Sequence, residues 1–301
     1  MPKPSPTMID MFPHILPVRY REALYKKSRD CFYIETNDAQ PALSNLDIRF
    51  RVMDQFEGLV EVLNIVSPPI EYVVGPDDAV ELAKMANDEM AELVAKYPDR
   101  FVAAVACLPM SNIDAALMET DRAIKELNFK GVQVYTSVNG KPLDSPEFME
   151  LYRKMEQYDL PVWIHPARDW DIPDYPGETQ SKYNLFIMMG WPYETSLAMA
   201  RLAHSGVLEK FPNLKFITHH CGGMVPFFAR RFALRPAGVD LKSPPVEYMR
   251  KFYADTVLQG NTPALMCGHA FFGSEHMLFG TDYPFGGADM IRNTIDSIET
   301  R

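Results

Sequence analysis

The 301-residue sequence predicts an α/β protein of the (β/α)8 TIM barrel type, on three observations. Short apolar runs rich in β-branched residues recur along it, and amphipathic stretches separate them. Histidine or aspartate closes several of the runs.

The runs are 8–12, 59–67 (LVEVLNIVS), 101–109 (FVAAVACLP), 131–136 (GVQVYT), 161–166 (PVWIHP), 215–220 (KFITHH), 252–257 (FYADTV) and 277–284 (MLFGTDYP). Each is nearly uniformly apolar, as a strand covered on both faces must be. Alternation of strands and helices fits a barrel or a doubly wound sheet, and the count of eight favours the barrel. Between the runs, 77–97, 112–127, 145–158, 193–211 and 263–272 repeat apolar residues at helical spacing. The segment 145–158 offers Ser145 as N-cap, Pro146 at the first helical position and Glu147 in the first turn. Two longer insertions, 17–47 and 167–191, follow the first and fifth runs, where barrel enzymes build their sites. Their residues Cys31, Phe32, Tyr33, Arg168, Trp170 and Tyr175 mix aromatic and polar character, which suits a planar substrate.

Composition narrows the function. Hydrophobic content of 47% and charged content of 23% are ordinary for a globular protein, and a net charge of −10 argues against nucleic acid as partner. No apolar run has the length of a membrane span. Residues 1–7 read as a proline-rich tail without a signal-peptide core, ahead of one domain occupying 1–301. The four cysteines show no paired spacing and read as reduced thiols, so a cytoplasmic protein is expected. The 18 methionines are core filler.

The chemistry gathers at run ends. His14 follows the first run, His165 ends the fifth, His219 and His220 end the sixth, and Asp282 lies in the eighth. A barrel brings the C-terminal ends of its strands to one mouth. Two imidazoles and a carboxylate there make a zinc-type set with an open position for water, and a further imidazole can act as general base or acid. The plainer reading of any one such histidine is a hydrogen-bonded structural residue; the concentration at strand ends favours function for His165, His220 and Asp282. His204, His269 and His276 fall on helices or at the opposite strand end and read as structural.

The stretches IDMFPHILP, RFRVMDQFEG, GVQVYTSVNGKPLD, LPVWIHP, GWPYETSLAMARLAHSGVLEKFPNLKFITHHCGGMVPFFARR and LFGTDYPFG together resemble the amidohydrolase-related (amidohydrolase 2) family in content, order and spacing. That family includes aminocarboxymuconate semialdehyde decarboxylase and γ-resorcylate decarboxylase. The resemblance implies a (β/α)8 barrel. It makes His14 the second histidine of a strand-1 HxH pair, His165 the strand-5 metal ligand and Asp282 the strand-8 carboxylate. His220 matches the histidine that activates a metal-bound water or protonates substrate. Arg231 matches an arginine that reaches a neighbouring subunit's substrate carboxylate, and Arg49 and Arg51 flank the place of a second substrate-orienting arginine. Trp191 and Glu194 fall in a motif lining the active-site mouth, where loop and helix-start packing is the plainer role.

Two departures stand out. Phe12 occupies the place of the first HxH histidine, leaving three protein ligands where relatives use four. The family also usually continues beyond its last barrel helix, whereas this sequence ends at Arg301, soon after ADMIRNTIDSIET. The resemblance thus implies one divalent ion, zinc by first expectation with manganese or iron as alternatives, bound more weakly than a four-ligand site would hold it. The leading expectation is a non-oxidative decarboxylase of a small aromatic or unsaturated carboxylate. A metal-dependent hydrolase of a C–N or C–O bond uses the same groups. The third alternative is a metal-poor supporting subunit beside an active homologous chain. A homodimer or a hetero-oligomer with such a chain is the expected assembly.

Overall fold

A computed structural model describes residues 7–27, 32–234, 238 and 240–299. The expected tail falls almost wholly outside them, as do Cys31 and the side chain of Phe32. All eight runs carry strand. The first holds β1 (Met8–Asp10), with a second short strand, β2 (His14–Ile15), just beyond it, and the second holds β3 (Leu59–Ile65). The third holds β4 (Phe101–Ala104) and β5 (Ala106–Cys107), and the fourth β6 (Val132–Tyr135), followed by the small hairpin β7 (Ser137–Val138) and β8 (Lys141–Pro142). The remaining runs give β9 (Val162–His165), β10 (Phe216–Thr218), β11 (Tyr253–Asp255) and β12 (Met277–Leu278). The first run breaks where Asp10 Oδ1 accepts the Phe12 amide at 3.1 Å, a local turn that competes with the ladder.

The chain forms two compact units, one of residues 1–133, 255–265 and 278–301, the other of 134–254 and 266–277. In the first, β3 pairs in parallel with β1, β2 and β4, with Met8 opposite Leu59 and His14 opposite Asn64. The residues after β12 run beside this group: Met11 donates to the Phe279 carbonyl (2.9 Å), Asp282 to Phe12 (3.1 Å) and His14 to Tyr283 (2.6 Å). The helix Pro76–Lys96 begins on Pro76, with Asp77 and Asp78 in its first turn, and buries Leu82, Ala83, Ala86 and Met90. Asn112 caps Ile113–Lys125 by accepting the Ala115 amide at 3.1 Å.

In the second unit β9, β10 and β11 lie side by side in parallel, with Phe216 opposite Val162, Thr218 opposite Ile164 and Ile217 opposite Tyr253. Alternation along β10 sends Phe216 against Tyr152 and Phe252, ring centroids 5.5 and 5.2 Å away, and Thr218 against Met199 of the helix Trp191–His204.

The helical expectations hold with local corrections. Ser145 makes no side-chain cap; Pro146–Phe148 is a 3-10 turn leading into the helix Met149–Tyr158. The stretch 193–211 forms two helices, Trp191–His204 and Val207–Lys210, because Gly206 takes φ +80°. The first insertion holds the helices Val18–Lys27 and Phe32–Asp38, and the second ends in a π-helix, Phe186–Gly190. Among the described residues no helix is long and apolar enough to cross a membrane.

Candidate active site

In the first unit the site begins with His14 and Asp282. Asp282 follows the apolar pair Met277–Leu278 and takes φ +62°, a left-handed conformation that non-glycine residues adopt at a cost of about 1 kcal/mol or more. His14 is buried, and its Nε2 lies 3.1 Å from Asp282 Oδ1. Phe12 and Phe285 flank the His14 ring edge-on, centroids 6.1 and 5.9 Å away. Phe12 is fully buried and offers no donor atom.

Arg49, expected near the substrate, is wholly enclosed instead. Its Nε donates to Glu61 Oε2 at 2.7 Å, its Nη1 to the carbonyls of His14 (2.8 Å) and Ala42 (3.3 Å), and its guanidinium lies over the Tyr283 ring. This placement ties it to Glu61 and makes it a support for the His14 backbone, with no exposed surface to offer a substrate. Arg51, one helical face away, is exposed, with its Nε donating to the Asp47 carbonyl.

In the second unit His165 closes β9. Its Nδ1 lies 2.7 Å from the Pro166 carbonyl, which only accepts, so Nδ1 carries the hydrogen and Nε2 presents its lone pair. Thr136 anchors this strand end by donating its amide to the His165 carbonyl and accepting the Ala167 amide, both at 2.9 Å. Past β10 the chain takes four left-handed residues in succession: His220 (φ +52°), Cys221 (+53°), Gly222 (+75°) and Gly223 (+60°). His219 precedes the turn in extended conformation and is buried, whereas His220 is half-buried and stacks on Trp191 with centroids 6.2 Å apart. Trp191 also meets His165 edge-on at 5.4 Å. Glu194 accepts Arg168 Nη1 at 3.2 Å, and burial holds its carboxyl above the usual range against that pull. Arg168 lines a hollow of about 520 Å³ with Tyr175, Met189 and Tyr193. Arg231 lies exposed on the short helix Ala229–Phe232.

The structure therefore joins His14 to Asp282 in one unit, and His165 to Trp191 and His220 in the other. Sequence reasoning placed His219 at the sixth strand end and Arg168 among the pocket-lining insertion residues without giving either a role of its own, and it passed over Tyr135, whose ring lies 5.4 Å from His165. Only the doubled histidine at a strand end was a readable signal for one of them.

The amidohydrolase family profile matches residues 9–297. A 2-amino-3-carboxymuconate-6-semialdehyde decarboxylase of Dictyostelium discoideum is 32% identical over 251 residues, 81% of this chain and 68% of that protein. A gamma-resorcylate decarboxylase of Rhodococcus jostii (strain RHA1) is 30% identical over 257 residues, 79% and 77% of the two chains. Among solved structures, 5-carboxyvanillate decarboxylase from Sphingomonas paucimobilis superposes with a TM-score of 0.80 at 25% identity, covering 95% of this chain and 92% of that one. Dihydroxybenzoic acid decarboxylase from Polaromonas sp. JS666, solved with bound manganese and the inhibitor 2-nitroresorcinol, gives 0.77 at 26% identity, covering 96% and 91%. Fold and relatives define a (β/α)8 barrel enzyme of the amidohydrolase superfamily. The chain belongs to the amidohydrolase family.

Proposed function

We propose that this chain is a metal-dependent carboxy-lyase that removes CO2 from a small aromatic or unsaturated carboxylate. The observation that carries the reading is the His14–Asp282 pair at 3.1 Å. Two donors that share one ion, each roughly 2.1 Å from it, stand about 3 Å apart, so the pair fits a divalent ion as it stands. His165, with its lone pair fixed on Nε2, is the third ligand in this reading. The set suits zinc, manganese or iron.

When bound, the metal supplies positive charge that fixes and polarises a substrate oxygen beside the departing carboxyl. The Trp191 ring gives a flat wall for a planar substrate. As the C–C bond breaks, CO2 leaves, the ring carbon keeps the electron pair, and His220 delivers the proton that replaces the carboxyl. Glu194 holds Arg168 in place, and Arg49 holds the His14 backbone. Orientation of the substrate carboxylate falls to the accessible arginines, Arg51 and the Arg231 of a neighbouring copy. In sequence Arg231 lies between Phe227 and Leu234, 78% and 72% exposed, and large apolar side chains exposed so near it along the chain suit contact with a second homologous chain.

Phe12 favours a second reading, a supporting subunit beside a homologue with an intact HxH pair. The test separates the readings. Full-length protein supplied with manganese or zinc is incubated with 2,6-dihydroxybenzoate, 5-carboxyvanillate and simple ester and amide substrates. CO2 release is expected, with deuterium from D2O at the vacated carbon, and His220→Asn is expected to lower kcat by about 10²- to 10⁴-fold. Hydrolysis without CO2 release would overturn the lyase. Inactivity alone, together with co-purification of an HxH-bearing homologue, would establish the supporting subunit.

A further inference from the structure

We propose that Ser196 is a positioning residue: its hydroxyl ties the turn that carries His220 to the helix start that carries Trp191, and so sets where the His220 proton is delivered. The inference rests on the reading of His220 as proton carrier and adds the residue that fixes the place of its ring. All the groups involved belong to the second unit.

The turn needs holding. His220 and Cys221 take φ of +52° and +53°, and Gly222 and Gly223 follow at +75° and +60°. Residues with a side chain persist in that region only where their surroundings over-determine them. Two backbone bonds close the turn internally, from Gly222 to the His219 carbonyl (3.2 Å) and from Gly223 to the His220 carbonyl (2.9 Å). Bonds inside a turn fix its shape, whereas its orientation depends on what it touches. One side rests on the helix Thr262–Phe272. A Cβ on Gly268 would collide with Cys221 Sγ, and one on Gly222 would lie 2.8 Å from the Phe272 ring.

Ser196 supplies the polar contact on the other side. It lies one helical turn after Pro192 in the helix Trp191–His204 and is buried. Its hydroxyl donates to the Pro192 carbonyl at 2.6 Å and accepts the Met224 amide at 2.7 Å. A carbonyl only accepts and an amide N–H only donates, so the direction of both bonds is fixed. One oxygen thus joins Met224, which follows the turn, to Pro192, the neighbour of Trp191. Beside these two residues stand the rings that stack, His220 and Trp191, with centroids 6.2 Å apart at 30°. A serine bonded back to the i−4 carbonyl slightly destabilises a helix, and alanine is the better helix former. The hydroxyl is therefore explained by the turn it holds, not by the helix it sits on.

The test reads the stack first and turnover second. In metal-free full-length protein labelled with 15N-tryptophan, the indole N–H signals of Trp163, Trp170 and Trp191 are followed, and Trp191→Phe assigns the last. His220→Asn shows how that signal moves when the stacked imidazole is lost. Ser196→Ala is expected to move it in the same direction. Ser196→Thr, whose hydroxyl can make the same i−4 bond, should leave it at the parental position. In turnover, Ser196→Ala is expected to lower kcat by about 10- to 100-fold, with KM little changed and a larger solvent deuterium isotope effect. Ser196→Thr should restore all three. Circular dichroism checks folding, and Ser196→Cys, similar in size and weak in hydrogen bonding, serves if alanine does not fold. A parental Trp191 signal in the folded variant would overturn the proposal, whether or not the parent is active. A moved signal with parental kcat and isotope effect would overturn it too. A moved signal in a chain that releases no CO2 would support the hold of Ser196 on the ring and overturn the lyase reading alone.

Discussion

At the scale of single residues, the first unit is organised around charge placed where water does not reach. Arg49 and Glu61 form a fully buried ion pair, and Asp10 is buried close to Glu61. Asp10 accepts amide hydrogens from Phe12 and Thr281 at 3.1 Å and pairs with the Thr281 hydroxyl. Burial, with a smaller push from Glu61, raises its pKa from 3.8 to about 7 against those hydrogen bonds. A carboxyl with a raised folded-state pKa contributes stability that is complete below about pH 4 and is lost as pH rises to about 7. In metal-free protein, urea titrations at successive pH values should show Asp10→Asn with a flatter profile across that window, the parent losing about 1.4 kcal/mol per pH unit relative to the variant. Asparagine can keep the three contacts, since its oxygen accepts both amides and its nitrogen donates to Thr281. Parallel profiles would show that Asp10 titrates normally.

At the scale of elements, the turn after β10 does the positioning and two glycines allow it. At Gly223, with φ +60°, an added Cβ would collide with the Pro192 carbonyl and come within 2.8 Å of Ser196 Oγ. Gly223→Ala is therefore expected to destabilise the fold by about 1–3 kcal/mol in chemical denaturation and to lower activity more than stability accounts for. Wild-type stability would mean that the turn relaxes freely. The elements were largely legible beforehand, because strands covered on both faces must be apolar throughout and helices must repeat every three to four residues. His14, His165 and Asp282 were legible as groups that interrupt such runs. The role of Arg49 was not, because its Glu61 partner is 12 residues away and only the fold brings the two together. Nor was the pairing of His165 with His219, which depends on the register of two strands more than 50 positions apart in sequence. The break after Asp10 was hidden for a simpler reason: one side-chain hydrogen bond outweighs the apolar pattern around it.

At the scale of the whole molecule, the reading that a neighbouring copy supplies Arg231 has a consequence that mixing can reveal. Arg231→Ala and His220→Ala should each be inactive. After subunit exchange in equal amounts, random pairing in a symmetric dimer leaves one intact site in half of the dimers, roughly a quarter of parental activity. No recovery after demonstrated exchange would place Arg231 outside the shared site. His220 and Asp282, which follow β10 and β12 in the chain, both adopt backbone conformations that glycine accepts more readily. Selection for a sturdier protein alone would favour glycine at both places, and glycine carries no imidazole and no carboxylate. Persistence of these two side chains in a lineage is therefore a record of demand for chemistry, and their replacement by glycine would mark the point at which a descendant had become scaffold.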